Sequence, residues 1–129
     1  MRFLLDTHTL IWLVSEPRRI SPRVRTMLTD TRNETYASAV NIFEAASRNS
    51  AARRIGTNIS AEQILAETRE AGINLLNLTP EHAAAVETIA LFHGDPFDRL
   101  LLAQAQVEGL QLVTHDERLA QYDSRTILF

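Results

Sequence analysis

Cysteine is absent from the 129 residues. Neither a disulfide framework nor a thiolate metal site is available, which suits a reducing compartment. Lysine is absent as well, and all 13 basic residues are arginine. That excludes a phosphate-binding P-loop, which needs its lysine, and it excludes lysine Schiff-base chemistry. Long apolar runs are also missing. "FLL" and "LIWLV" are interrupted by "DTHT", and no run approaches the roughly 20 residues that span a bilayer. No basic-then-apolar leader opens the sequence. The expectation is a soluble cytoplasmic protein with no membrane segment. Its length suits one domain over residues 1–129, large enough to bury a core without staples. There is no internal repeat and no low-complexity segment.

What is present is unevenly charged. The formal charge is −3, yet residues 16–56 carry eight arginines and four acids, and the remainder carries five arginines and twelve acids. A mildly acidic chain with one basic stretch is compatible with local binding of an anion.

Five short runs read as buried strands: "RFLLD", "ETYAS", "INLLNL", "LQLVT" and "RTILF". Helical patterns lie between them. Ser21-Pro22, Ser60 with Gln63, and Thr79-Pro80 have the form of helix starts. Gly72 and Gly109 stand where helices should stop. Near-continuous apolar strands alternating with helices predict an α/β fold with a mostly parallel sheet. "NSAARRIGTN" reads as a loop. Ligands of such folds bind at the carboxyl ends of the strands. Asp6 and Asp116 follow the first and fourth strands, so both fall on that edge.

Each acid, taken singly, has a plain explanation. Asp6 can cap the first helix. Asp95, before Pro96, fits an N-cap, with Asp98 at the third helical position. Glu44 lies among the apolar or small residues of "SAVNIFEAASR", with Arg48 four residues on as a salt-bridge partner. Thr114 or Asp116 can cap the short helix that follows "LVT". Taken together, the four acids Asp6, Glu44, Asp98 and Asp116 form a pattern at strand-to-helix junctions and helix starts. Converged carboxylates repel one another unless a cation neutralises them. Oxygen ligands without cysteine suit Mg²⁺ or Mn²⁺, the ions of phosphoryl chemistry.

The set "LLDTHTLIWL", "SAVNIFEAASR", "HGDPFDRLLLAQA" and "LVTHDERLAQY" resembles PIN-domain ribonucleases, specifically the VapC toxins of bacterial VapBC toxin–antitoxin systems. The resemblance runs through nearly the whole chain in order, and "DPFDRLLLAQA" is its most specific piece. It implies a PIN-like α/β/α sandwich and Mg²⁺- or Mn²⁺-dependent endoribonuclease activity. Asp6, Glu44, Asp98 and Asp116 match the family's acids as metal ligands and catalytic residues, and Thr7 and Thr114 match its supporting hydroxyls. Hydrolysis by metal-activated water would leave a 5′-phosphate and a 3′-hydroxyl. The resemblance also implies a homodimer, an RNA substrate, and a VapB-type antitoxin that forms a hetero-oligomer with the toxin and inserts a segment into the groove. Phe43 departs from the family's usual tryptophan, and "AASRNSAARR" departs from its usual continuation after the glutamate.

Among the basic residues, Arg18, Arg19, Arg23, Arg25, Arg53 and Arg54 are chemically able to contact RNA phosphates, and Arg48, Arg53 and Arg54 are the candidates closest in sequence to Glu44. His8, His93 and His115 stand near the acids, where an acid–base role is chemically open, but the family pattern assigns them none. Leu10 and Trp12 read as core or partner surface and not as a base-stacking platform. The competing functions are a non-toxin PIN nuclease in RNA processing, a non-catalytic module of the same fold, and an aspartyl-phosphate enzyme. The last is disfavoured because such enzymes rely on a lysine.

Overall fold

The computed structural model describes residues 1–47, 56–89 and 94–129. Most of the expected loop, with Arg48, Arg53 and Arg54, lies outside the described residues, and so does His93. The five strands are β1 (Arg2–Leu5), β2 (Glu34–Ser38), β3 (Asn74–Leu76), β4 (Gln111–Thr114) and β5 (Ile127–Leu128). They pair in the order β3-β2-β1-β4-β5, and every pairing is parallel. The helices are α1 (Thr7–Ser15), α2 (Pro22–Thr29), α3 (Ala39–Ala46), α4 (Ala61–Glu70), α5 (Pro80–Ala85), α6 (Pro96–Glu108) and α7 (Glu117–Ala120). None of the described helices is long and apolar enough to cross a membrane.

Alternation along the strands explains the layering. Side chains of successive strand residues point to opposite faces. Phe3, Leu5 and Val113 pack on one face with Leu10 and Ile11 of α1, Val24 of α2 and Ile64 of α4. Leu4 and Leu112 pack on the other face with Leu101 and Leu102 of α6. Both faces of the sheet are therefore covered, as the continuous apolar strands require. Phe3, Leu4 and Leu5 are fully buried, and burying side chains of this kind stabilises by about 1.5–3 kcal/mol each. Leu10 and Trp12 are buried in this core as expected. The expectation of buried strands fails at the two sheet edges. Leu75 of β3 and Leu128 of β5 are 37% and 38% exposed, because an edge strand has a neighbour on one side only.

The helix ends follow their sequence signals. Ser60 and Gln63 form a reciprocal capping box at 3.1 and 2.9 Å. Thr79 caps α5, with the His82 ring as its partner. Ser21 occupies the cap position of α2, but its hydroxyl makes no capping bond. Gly109 ends α6 at φ +66°, a left-handed conformation that glycine adopts without steric cost. A chain of buried polar side chains ties α6 to β2. The Ser38 hydroxyl donates to Gln104 Oε1 at 2.5 Å, and Gln104 Nε2 lies 3.3 Å from His82 Nδ1. His82 Nδ1 accepts the Thr79 N–H, so Nε2–H donates to Glu108 at 3.3 Å.

The strand order reverses at β1. The chain moves outward through β2 and β3, then returns to place β4 on the other flank of β1. A crevice opens at the carboxyl ends of strands at such a switch point. The residues that follow β1 and β4 begin with Asp6 and with His115-Asp116.

Candidate active site

Asp6 caps a helix and also faces the crevice, so its two sequence readings are both met. Its backbone N–H pairs with Val113 O at 3.0 Å, extending the β1–β4 ladder by one residue. Its Oδ1 accepts the Thr9 N–H at 2.8 Å as the N-cap of α1. Its Oδ2 accepts the Thr114 hydroxyl. A carboxylate offers about four lone-pair sites, so these two bonds leave acceptor capacity on the cleft side. The Thr114 hydroxyl also accepts the Asp116 N–H at 3.0 Å. Asp116 in turn caps α7, its Oδ1 accepting the Arg118 N–H at 2.8 Å.

Glu44 stands in the last turn of α3 and is only 5% exposed. The α3 face that carries it turns inward, and its candidate partner Arg48 lies outside the described residues. One helical turn earlier, Asn41 is fully buried. Its Oδ1 accepts the Ser38 N–H at 2.7 Å, and its Nδ2 donates to Leu5 O at 3.2 Å and to Thr7 Oγ1 at 3.1 Å. One amide thus joins the β2–α3 junction, which carries Glu44, to the β1–α1 junction, which carries Asp6.

Asp95 and Asp98 open α6. Asp95 Oδ1 accepts the N–H groups of Phe97 and Asp98 at 2.9 and 3.3 Å, which makes it the N-cap. Asp98 lies in the first turn, where the helix dipole favours a negative charge.

These junctions meet in one open cleft of about 610 Å³. Asp6, Thr7, Glu44, Asp98 and Asp116 all line it, together with Asp95, Glu117, His8, His115, Arg118 and Leu119. Thr114 lies behind the wall, fully buried, and acts through Asp6. The four acids expected from the sequence therefore come together, and Asp95 and Glu117 join them. Among the described residues, no three histidine, aspartate or glutamate side chains cluster closely enough to enclose one ion. The set suits a hard cation that keeps several waters and takes one or two carboxylates directly, as Mg²⁺ does.

Sequence reasoning missed two residues of this site. Asn41 has no motif signal, because its partners lie in other elements. Arg118 directly follows the fourth acid and its neighbour, and it is the arginine among the described residues that lines the cleft. Its Nη2 lies 3.3 Å from Asp116 Oδ2. The hydrogen bond to Asp116, with the added charges of Asp98 and Asp95, raises the Arg118 guanidinium above its ordinary pKa. Three of the described arginines of the basic stretch are engaged elsewhere. Arg32 pairs with Asp30, Arg25 bonds Pro17 O, and Arg19 pairs with Glu16 and lies over the Trp12 ring. Beside the cleft, Trp12 packs its ring against His8 and His115 at centroid distances of 5.9 and 5.5 Å. The His115 ring is held further by its Nδ1 contact to the Phe129 main-chain oxygen.

Residues 3–124 match the PIN domain family. The chain belongs to that family. Ribonuclease VapC22 of Mycobacterium tuberculosis is 34% identical over 120 residues, which span 92% of this chain and 90% of that protein. The PIN fold recurs in solved structures at much lower identity. The VapBC2 complex of Rickettsia felis, bound to a promoter DNA fragment, superposes with a TM-score of 0.70 at 13% identity, covering 100% of this chain and 98% of that one. DNA-bound VapBC of Salmonella typhimurium superposes at 0.67 with 19% identity, covering 100% and 97%. The expected α/β sandwich with its parallel sheet is thus the PIN architecture, and its VapC-type members are the relatives of this chain.

Proposed function

We propose that this PIN-domain protein is the toxin of a VapBC-type toxin–antitoxin pair, an endoribonuclease that hydrolyses RNA phosphodiester bonds with Mg²⁺ or Mn²⁺. The observation that carries the reading is the convergence of Asp6, Glu44, Asp98 and Asp116 from four separate chain segments into one cleft at the strand-order switch. Asp6, Glu44, Asp98 and Asp116 would hold the ion, one or two of them directly and the others through its waters. When bound, a divalent ion polarises a phosphate oxygen and lowers the pKa of a bound water.

This chain's own residues supply position. Thr114 holds the Asp6 carboxylate in one rotamer and ties it to the α7 cap. Asn41 holds α3, and with it Glu44, against the end of β1. Asp98 rides on α6, whose packing against the sheet fixes its distance from Asp6. Side chains locked in this way hold ligand geometry without reorganisation during the reaction. The partner in this reading is a VapB-type antitoxin, which occupies the groove and silences the cytoplasmic toxin. The active form is a homodimer. Arg48, Arg53 and Arg54 remain the proposed contacts to RNA phosphates that flank the cleft.

The test combines calorimetry with cleavage. Wild-type protein should bind Mn²⁺ and cut single-stranded RNA only when Mg²⁺ or Mn²⁺ is supplied. Asp6→Asn and Asp98→Asn should lose both properties while remaining folded. Wild-type Mn²⁺ affinity in both variants would remove these acids from the metal site, and metal-independent cleavage would overturn the mechanism.

A further inference from the structure

The chain carries the same short element three times: aspartate, one residue, arginine. It occurs as Asp30–Arg32, Asp116–Arg118 and Asp123–Arg125. All three share one main-chain bond, the arginine N–H donating to the aspartate Oδ1 at 2.9, 2.8 and 2.9 Å. The side chains differ. In the two copies away from the cleft, Nε lies 3.1 Å from Oδ1 and Nη2 lies 2.7 Å from Oδ2. Those are full bidentate forks. In the cleft copy the same distances are 3.5 and 3.3 Å. Arginine exposure does not account for the slack, since the Arg32 side chain is 88% exposed and the Arg118 side chain 74%. What differs is the neighbourhood. Arg118 lines the same cleft as Asp98 and Asp95 and lies in their field as well as beside Asp116.

We propose that Arg118 is a substrate-binding residue held in reserve by Asp116. The inference rests on the metal-dependent reading of the cleft given above. Arg118 offsets the crowded carboxylates and keeps Asp116 in place. It gives up Asp116 when a divalent cation takes that carboxylate, because two cations on one acid repel each other. Its planar fork then turns to a non-bridging oxygen of the RNA phosphodiester, for which a guanidinium is better matched than an ammonium. Cleft loading and phosphate capture are thereby coupled through a single side chain. The Arg118–Asp116 pairing is the longest of the three, which suits a bond that is exchanged.

The coupling makes two opposite predictions for one substitution. Wild type, Arg118→Gln, Arg118→Lys and the distant control Arg125→Gln are titrated with Mn²⁺ by calorimetry. Binding of a labelled single-stranded RNA is followed by anisotropy in Ca²⁺ over a range of NaCl concentrations. Arg118→Gln should bind Mn²⁺ about three- to tenfold more tightly, since a competing charge is gone. It should bind RNA about three- to tenfold more weakly, and its log–log salt slope should fall by about 0.7, one phosphate contact on a single strand. Arg118→Lys should keep wild-type Mn²⁺ affinity and recover part of the RNA binding. Arg125→Gln should change neither. Wild-type RNA affinity and salt slope in Arg118→Gln would overturn the proposal, as would a loss of Mn²⁺ affinity in both Arg118 variants, which would mark the residue as a structural support of Asp116, the α7 cap. Failure of the wild-type protein itself to bind Mn²⁺ would instead overturn the metal reading, and this proposal with it.

Discussion

Thr114 and Asp6 stand 108 positions apart in the chain and share a buried hydrogen bond, the threonine hydroxyl donating to the aspartate Oδ2. The same hydroxyl accepts the Asp116 N–H. One oxygen atom therefore couples the acid that follows β1 to the acid that follows β4. The register of the two strands makes this possible, because Leu5 pairs with Val113 and brings the next residues side by side.

Thr114→Val tests that coupling. The valine keeps the shape but leaves a buried carboxylate oxygen and a backbone N–H without their partner, at a cost of about 1–3 kcal/mol. Thermal or urea unfolding should register that loss, and RNA cleavage should fall as Asp6 leaves its rotamer. Thr114→Ser should restore both. A defective serine variant beside a valine variant with wild-type stability and cleavage would mean that the methyl group, and not the hydroxyl, matters.

Asn41→Ala should separate the two junctions that the amide joins. Three hydrogen bonds vanish together, so unfolding should show a loss of at least about 1–3 kcal/mol. Mn²⁺ affinity should weaken in the same variant, because Glu44 is no longer held against the end of β1. Asn41→Asp keeps the acceptor for Ser38 but loses both donors and should behave like the alanine variant. A stable Asn41→Ala with wild-type Mn²⁺ affinity would show that the clamp is dispensable.

Asp95 and Asp98 are three residues apart and should fail in different ways. Asp95→Ala removes the α6 cap, which makes two backbone bonds, and should lower stability by about 0.5–2 kcal/mol while most RNA cleavage survives. Asp98→Ala should abolish cleavage and change stability by less than about 1 kcal/mol. The reverse pattern would identify Asp95 as the essential acid.

Acid stability offers a check far from the cleft. Hydrogen bonds from the Arg32 side chain and backbone hold the Asp30 carboxyl at about 2, below its ordinary 3.8. A carboxylate with a depressed folded pKa contributes stability that is fully present above its unfolded value and is lost as the pH falls through the folded one. Wild type and Arg32→Gln should therefore differ above 3.8 and converge towards pH 2. Carbon-detected NMR titration should find Asp30 near 2 in the wild type and shifted up towards 3.8 in Arg32→Gln, where the backbone N–H of residue 32 still holds it below that value. The same Asp30 midpoint in both proteins would remove the pair as the cause.

Much of this protein was legible in the sequence because the signals concerned are local. The apolar run of β1, the Asp95-Pro96 helix start, the Ser60–Gln63 box and the Gly109 stop each act within a few residues, so each can be read from neighbours alone. The placement of Asp6 and Asp116 on one sheet edge was legible for a related reason: both follow apolar strands whose alternation with helices points to a mostly parallel sheet. The motifs around the four acids carried the family.

The tertiary structure decided the rest. It put Glu44 inside and left β3 and β5 at exposed edges, since burial depends on which elements cover a face. It chose Thr114 and Asn41 as the atoms that join separate junctions, through contacts 34 to 108 positions long. It also gave Arg118 a different environment from Arg32 and Arg125, although all three share one local pattern. The local geometry of that pattern is set by two neighbouring residues. The charge around it is set by elements that arrive from elsewhere in the chain, and only folding brings those fields together.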